Sequence, residues 1–303
     1  MLRLHRTSLL GGPALVALLA LVAAACGGGS ASTTTSATAA TTAAGGTSAA
    51  SMLPSKYAPG STLTIATDAS YAPMELYGSN GKTIVGMDPD LANAIGKVLG
   101  LKVKLVNASF DSIIPALQSG KYDLSMSAFT DTKKREQVVD FVTYFSAGTS
   151  FYVRAKGGPS IMGLPDLCGH TVAVEKGTIQ ADDATAQSKK CTSAGKAAVK
   201  VSVFPDQNGA NLALSSGRAQ VGMADSPVAA WIVKESSGKF KLTGQPYDTA
   251  PYGIAVPKDS GLAKPIQAAL EQVIADGTYA TILEKWGIQQ GGISNPQINA
   301  AKS

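Results

Sequence analysis

The sequence predicts an α/β fold made of two similar units, and three observations carry that expectation. Apolar residues switch repeatedly between helical and alternating spacing across residues 61–290. Short polar clusters fall just past the predicted strand ends, the edge at which open α/β sheets bind ligands. The order of elements is β-α-β-α-β, then a second similar set, which implies parallel pairing with right-handed crossovers. Each unit should be a mostly parallel sheet flanked by helices, and two short crossings should join the pair. A chain of 303 residues is long enough to bury a core for both.

The elements follow in order. Leu63, Ile65 and Ala66 form a strand that ends at Thr67-Asp68. Asp88-Pro89-Asp90 reads as an N-cap, a first-turn proline and an acidic second residue; Leu91, Ile95, Val98 and Leu99 share one helical face, and Gly100 stops the helix. Val103 and Leu105 alternate as a strand. Asp111 is placed to cap a second helix through Ile113, Ile114 and Leu117, ended by Gly120, with a third strand over 124–128 and a turn into a short helix over 130–135. After a segment at 141–145, the second set has strands at 171–174, 199–204 and 219–224, the last ending at Asp225. Helices follow Lys176-Gly177-Thr178 and span 208–216. A strand at 252–256, a helix over 262–274 and another over 279–286 complete it.

Composition narrows the class. Charged residues make up 16% of the chain and the net charge is +5, or +3 without Arg3 and Arg6. No block of basic residues with interleaved aromatics appears, so nucleic acid is not an expected partner. Residues 1–25 read as a secretion signal: Arg3 and Arg6, an apolar run over 9–25, then Ala23-Ala24-Ala25 directly before Cys26. That ending resembles a bacterial lipoprotein signal, with Cys26 as the lipidated N-terminus and Ala23 where leucine is usual. Residues 26–60 would carry the lipid and a disordered Gly/Ala/Ser/Thr tether, and the low-complexity tail 291–303 would be disordered too. Cys168 and Cys191 remain as an even pair, a disulfide in an oxidising compartment or two free thiols. With only His5 and His170, neither a metal nor a cofactor is expected.

Seven motifs in order then carry a resemblance. They are ATDASYAPME at 66–75, GMDPDL at 86–91, FDSIIPALQSGKYDL at 110–124, SAFTDTKKRE at 127–136, VAVEKGT at 172–178, RAQVGMADSP at 218–227 and YGIAVPK at 252–258. Over 63–288 the chain resembles the family 3 extracellular solute-binding proteins, the polar amino-acid receptors of bacterial ABC importers. The resemblance implies a two-lobed type II periplasmic-binding fold, with lobe 1 over 61–148 plus 249–290 and lobe 2 over 149–248. It implies a monomer outside the membrane, held by its lipid anchor, with an amino-acid ligand and ABC-importer permease subunits as partners.

It also implies site residues. Arg135 would fork onto the ligand α-carboxylate, a geometry lysine cannot reproduce, aided by the backbone N–H groups of Thr130 and Ile179. Asp225 would take the α-ammonium, with the Thr130 hydroxyl and Ala128 carbonyl. Tyr71 and Phe110 would sandwich the aliphatic stem. Asp68 and Glu175 would lie toward the side-chain end, with Ser127, Thr178 and Gln180 completing the pocket. Bland readings stand beside these: Arg135 as a solvated member of Lys133-Lys134-Arg135, Asp225 as a helix cap, Tyr71 and Phe110 as core aromatics, Asp68 bonded locally. Two acids at the far end favour arginine, lysine or ornithine, with glutamine next. A one-residue slip would point Lys176 inward instead of Glu175 and reverse that argument. The alternative function is a cyclohexadienyl dehydratase-like enzyme on the same fold. Gln180, in the loop where such an enzyme needs an acid, argues against it.

Overall fold

A single eight-stranded sheet threads both halves of the molecule, in the order β5-β1-β6-β11-β7-β10-β8-β9. The computed structural model describes residues 48–302. The signal region, Cys26 and most of the expected tether lie outside the described residues. The first half begins with β1 (Thr62–Thr67) and an antiparallel three-stranded flap of β2 (Ser70–Tyr71), β3 (Glu75–Tyr77) and β4 (Ile84–Val85), which the sequence did not signal. Then come α1 (Met87–Leu99), β5 (Lys102–Asn107), α2 (Phe110–Gln118), β6 (Leu124–Ser125) and the one-turn α3 (Lys133–Glu136). β1 pairs in parallel with β5 and β6, as two β-α-β crossovers require.

The second half repeats the plan. β7 (Val139–Arg154) enters it, and β8 (Thr171–Glu175), α4 (Ile179–Ser193), β9 (Lys200–Phe204), α5 (Gln207–Ser215) and β10 (Val221–Asp225) build a parallel β9-β8-β10 set. α6 (Ser226–Glu235), β11 (Phe240–Pro257), α7 (Ala263–Ala275) and α8 (Thr278–Trp286) return the chain to the first half. The crossings are the long antiparallel strands β7 and β11. Their register shifts between Thr243 and Tyr247 and again between Tyr247 and Ala250, beside Gly148. A Cβ on Gly148 would meet the Tyr247 carbonyl at 2.6 Å. Pairing is therefore weakest where the two halves meet.

Several local expectations need correction. The N-cap of α1 is Gly86, at φ 145°, and not Asp88. Asp88 is fully buried inside the first turn, where its Oδ2 accepts the Ala128 N–H at 3.0 Å and the Tyr144 hydroxyl at 2.8 Å. Ser109 precedes α2, and Asp111 bonds Lys176 at 2.7 Å instead of capping. The third strand stops at Ser125 because 126–130 turns away, with Ala128 at φ 46°.

Order also reaches further at both ends than composition implied. Ala49 and Tyr57 are buried, and the Tyr57 hydroxyl donates to Asp123 at 2.8 Å, so structure starts at Ser48 within the expected tether. The tail expected to be disordered is docked. Ile298 bridges Val142, the Thr143 N–H donates to the Gln297 carbonyl at 2.8 Å, and Gly291 sits on Phe145. Cys168 and Cys191 are joined in a disulfide. Among the described residues no helix is long and apolar enough to cross a membrane.

Candidate functional site

β1 delivers Asp68 to the cleft between the halves. Its Oδ2 accepts the Phe110 N–H at 2.9 Å, so the start of α2 and the end of β1 are fixed together. Burial raises the Asp68 pKa, against the lowering effect of bonds from Ser70 and Phe110. Phe110 stacks on Phe129 with ring centres 4.2 Å apart, and the Arg135 guanidinium lies 5.5 and 5.1 Å from those rings. Thr130 forms a one-residue antiparallel bridge to Tyr252, flanked by Phe129 and Asp131 bonds to β11. Its own N–H and carbonyl therefore face away from β11, and the carbonyl accepts from Arg135 Nη1 at 2.8 Å.

The second half supplies the opposite wall. Glu175 ends β8 with only 2% exposure, whereas Lys176 is exposed. Gly177 follows at φ 81°, and a Cβ there would lie 2.9 Å from the Asp111 Cβ, so glycine permits both the turn and the close approach. Thr178 caps α4 by accepting the Ala181 N–H, and its hydroxyl donates to the Glu175 carbonyl at 2.8 Å. The first turn of α4, with Ile179 and Gln180, thus opens its unpaired N–H groups toward the cleft. Asp225 stands before α6 but makes no side-chain cap. Its Oδ1 accepts from Gln180 Nε2 at 2.8 Å.

Contacts across the cleft hold the halves together. Arg135 Nη2 donates to the Gly177 carbonyl at 3.0 Å, the Asp225 N–H donates to the Tyr71 hydroxyl at 3.0 Å, and the Gln207 N–H donates to Ser70 Oγ at 3.2 Å. They close down on a cavity of about 10 Å³, roughly the space of one water molecule, so the halves are drawn together over the site. Asp68, Tyr71, Phe110, Ala128, Thr130, Arg135, Glu175, Thr178, Ile179, Gln180 and Asp225 all line it. Ser127 does not. It stands behind the wall, accepting the Asp68 N–H at 2.9 Å and donating to Glu75 Oε1 at 2.8 Å.

Glu75 lines the cavity and was missed; its only trace in sequence is an acid between Met74 and Leu76 in an otherwise apolar step. The cavity thus faces four carboxyl groups and one guanidinium. Burial pushes Glu175 up to about 9, helped by the charges of Asp68 and Asp206. Burial, then the nearby Asp88, raises Glu75 well above its ordinary value, and burial raises Asp88 to about 6. Asp225 is raised by burial, against bonds from Tyr252 and Gln180. Arg135 is half-buried overall; loss of solvent lowers it to about 10, opposed by the charge of Asp225. Such a site suits a ligand carrying one carboxylate and more than one cationic group. Among the described residues no cluster of His, Cys, Asp and Glu could hold a metal ion.

The family model of the bacterial extracellular solute-binding proteins, family 3, matches residues 63–289. The chain belongs to that family. Arginine-binding protein ArgT of Corynebacterium glutamicum is 33% identical to this solute-binding protein over 250 residues, covering 82% of each. A solved ancestral arginine-binding protein bound to arginine is 41% identical with a TM-score of 0.68, over 74% of this chain and 97% of the other. An ancestral arginine-binding protein bound to glutamine is likewise 41% identical with a TM-score of 0.68, over 75% and 98%. The two-lobed α/β architecture of these neighbours is the one described above.

Proposed function

We propose that this solute-binding protein is the extracytoplasmic receptor of an ABC importer and that it captures a free basic amino acid, L-arginine foremost. One observation carries the choice of ligand: Glu175, not Lys176, faces the cavity, beside Asp68. A buried cationic side chain needs paired charge, and these acids with Glu75 supply it. Arg135 keeps further N–H donors beyond its two carbonyl bonds. With the Thr130 and Ile179 N–H groups it takes the α-carboxylate. Asp225, the Thr130 hydroxyl and the Ala128 carbonyl take the α-ammonium, while Tyr71 and Phe110 enclose the stem. Names of relatives that bind arginine support the same reading, and glutamine is the next ligand.

The lipid anchor at Cys26, the permease partners and the monomeric state belong to this proposal, supported by the sequence pattern before Cys26 and by the family. A thermal-shift panel of amino acids, with sugars and small acids as controls, tests it. Ligand at ~100 times its Kd stabilises by about 2.7 kcal/mol; a response to sugars alone would overturn the reading. The dehydratase alternative has one observation in its favour, an enclosed acid that stays protonated up to about pH 9. Product formed from prephenate or arogenate, followed by mass spectrometry, would favour it.

A further inference from the structure

The family match ends at residue 289, yet the chain continues for another turn around the first half. That continuation packs Ile293 and Ile298 against the core and is held by hydrogen bonds as well. Ile293 donates to the Tyr279 hydroxyl at 3.1 Å, Gln267 Nε2 donates to the Pro296 carbonyl at 2.8 Å, and Gln297 and Thr143 exchange two bonds of 2.8 Å. Asn299 is the pivot. Its φ of 56° is a left-handed conformation that asparagine tolerates. Its Oδ1 accepts the Phe141 N–H at 2.8 Å, its Nδ2 donates to Asp140 at 2.9 Å, and its N–H donates to the Phe141 carbonyl at 3.0 Å.

The next two residues leave β7 for the site. The Ala300 N–H donates to Asp131 Oδ2 at 2.7 Å and the Ala301 N–H to Glu136 Oε1 at 3.0 Å. Asp131 and Glu136 bracket the turn that carries Arg135, and Asp131 adjoins Thr130. On its other side the turn is tied to β11 through the Asp131 N–H and the Pro251 carbonyl, 2.8 Å apart. Without the tail, two neighbouring carboxyls, Asp131 being only 2% exposed, would face each other with fewer donors. Burial, and then the charge of Glu136, already raises the Asp131 pKa; with fewer donors the two acids would repel more strongly, and the turn between them would shift.

We propose that residues 297–301 are a positioning strap for the carboxylate-binding turn, bonding to Asp131 and Glu136 so that Thr130 and Arg135 are held at the cleft before a ligand arrives. Asp131, Glu136 and Asn299 are positioning residues, since none lines the cavity. A plainer role competes: the first-half part of β7 has β11 on one side only, and the tail covers an otherwise open strand edge. The two roles differ in what they do to Arg135.

The strap rests on the reading that Arg135 binds the ligand carboxylate, and its test keeps the two apart. Full-length protein, a chain ending at residue 296 and Asn299→Ala are each made with Arg135 and with Arg135→Lys, and L-arginine binding is measured by calorimetry. Loss of the strap weakens binding at least about fivefold with Arg135 present and less than about twofold in the Arg135→Lys background. Equal losses in both backgrounds, or none in either, overturn the strap and leave edge protection. Asn299→Ala, checked for an unchanged circular dichroism spectrum, carries the test if the shortened chain does not fold. Full-length protein that binds no amino acid overturns the proposed function and the strap with it.

Discussion

Arg135 of the first half donates through Nη2 to the Gly177 carbonyl of the second, 3.0 Å away. The residue that is proposed to grip the ligand carboxylate is therefore also part of the closure. Its replacement removes both functions at once. Arg135→Ala should cost about 3–5 kcal/mol of binding, more than about a hundredfold in Kd, because a buried carboxylate loses its partner. Calorimetry with L-arginine checks this, and a loss below about tenfold would reject the assignment. Asp225→Asn should weaken binding comparably; an unchanged affinity would remove it from the ammonium site.

Glu175 gives the site a pH signature. Burial holds its pKa near 9, so the folded protein retains a proton that the unfolded chain, near 4.5, gives up. Its contribution to stability is complete below about 4.5 and is lost as pH rises through about 9. A cationic ligand side chain favours the ionised carboxylate, so binding releases a proton in that window. Affinity for L-arginine should rise between pH 6 and 8, by up to about tenfold per unit for one proton. Titrations in phosphate and in Tris should give different apparent enthalpies, and Glu175→Gln should remove both effects. A buffer-independent enthalpy in the unsubstituted protein would show that Glu175 does not meet the cation.

The parts of this molecule written in side-chain periodicity were legible from sequence. Leu91, Ile95 and Leu99 form the buried face of α1, and the parallel β1–β5 and β1–β6 pairs follow from the crossovers they imply. The residues that line the cavity, Glu75 apart, were legible through their motifs. What hid was set by register or by backbone bonds. Whether Glu175 or Lys176 faced inward depended on a one-residue shift. Asp88 resembles a cap because Asp-Pro-Asp suits a helix start, yet tertiary packing uses it as a buried acceptor. The tail shows no apolar periodicity, only Ile293 and Ile298 set among small and polar residues, and much of its fastening is by N–H and carbonyl groups, which every sequence has.

Asp88 also makes a stability prediction. Its Oδ2 is the acceptor for the Ala128 N–H and the Tyr144 hydroxyl, both fully enclosed. Asp88→Ala strands two donors, which should cost about 2–5 kcal/mol in urea unfolding. Asp88→Asn keeps an acceptor and should cost less. A loss below about 1 kcal/mol for the alanine variant would mean that other groups or water take over these bonds.

The Cys168–Cys191 bridge separates stability from binding. It closes a loop of sequence separation 23 that contains β8, the Glu175–Gln180 turn and most of α4. The bridge joins the segment just before β8 to the C-terminal turn of α4, while the cavity lies at the opposite ends of both elements. Constraint at one end of two rigid elements should leave the other end in place once the chain is folded. Replacing both cysteines with serine should therefore cost about 3 kcal/mol of stability in the chain-entropy account, with Kd for L-arginine changed less than about threefold. Paired measurements of unfolding and calorimetry at low temperature check this. A much larger loss of affinity would mean that the bridge itself aims the first turn of α4 at the ligand.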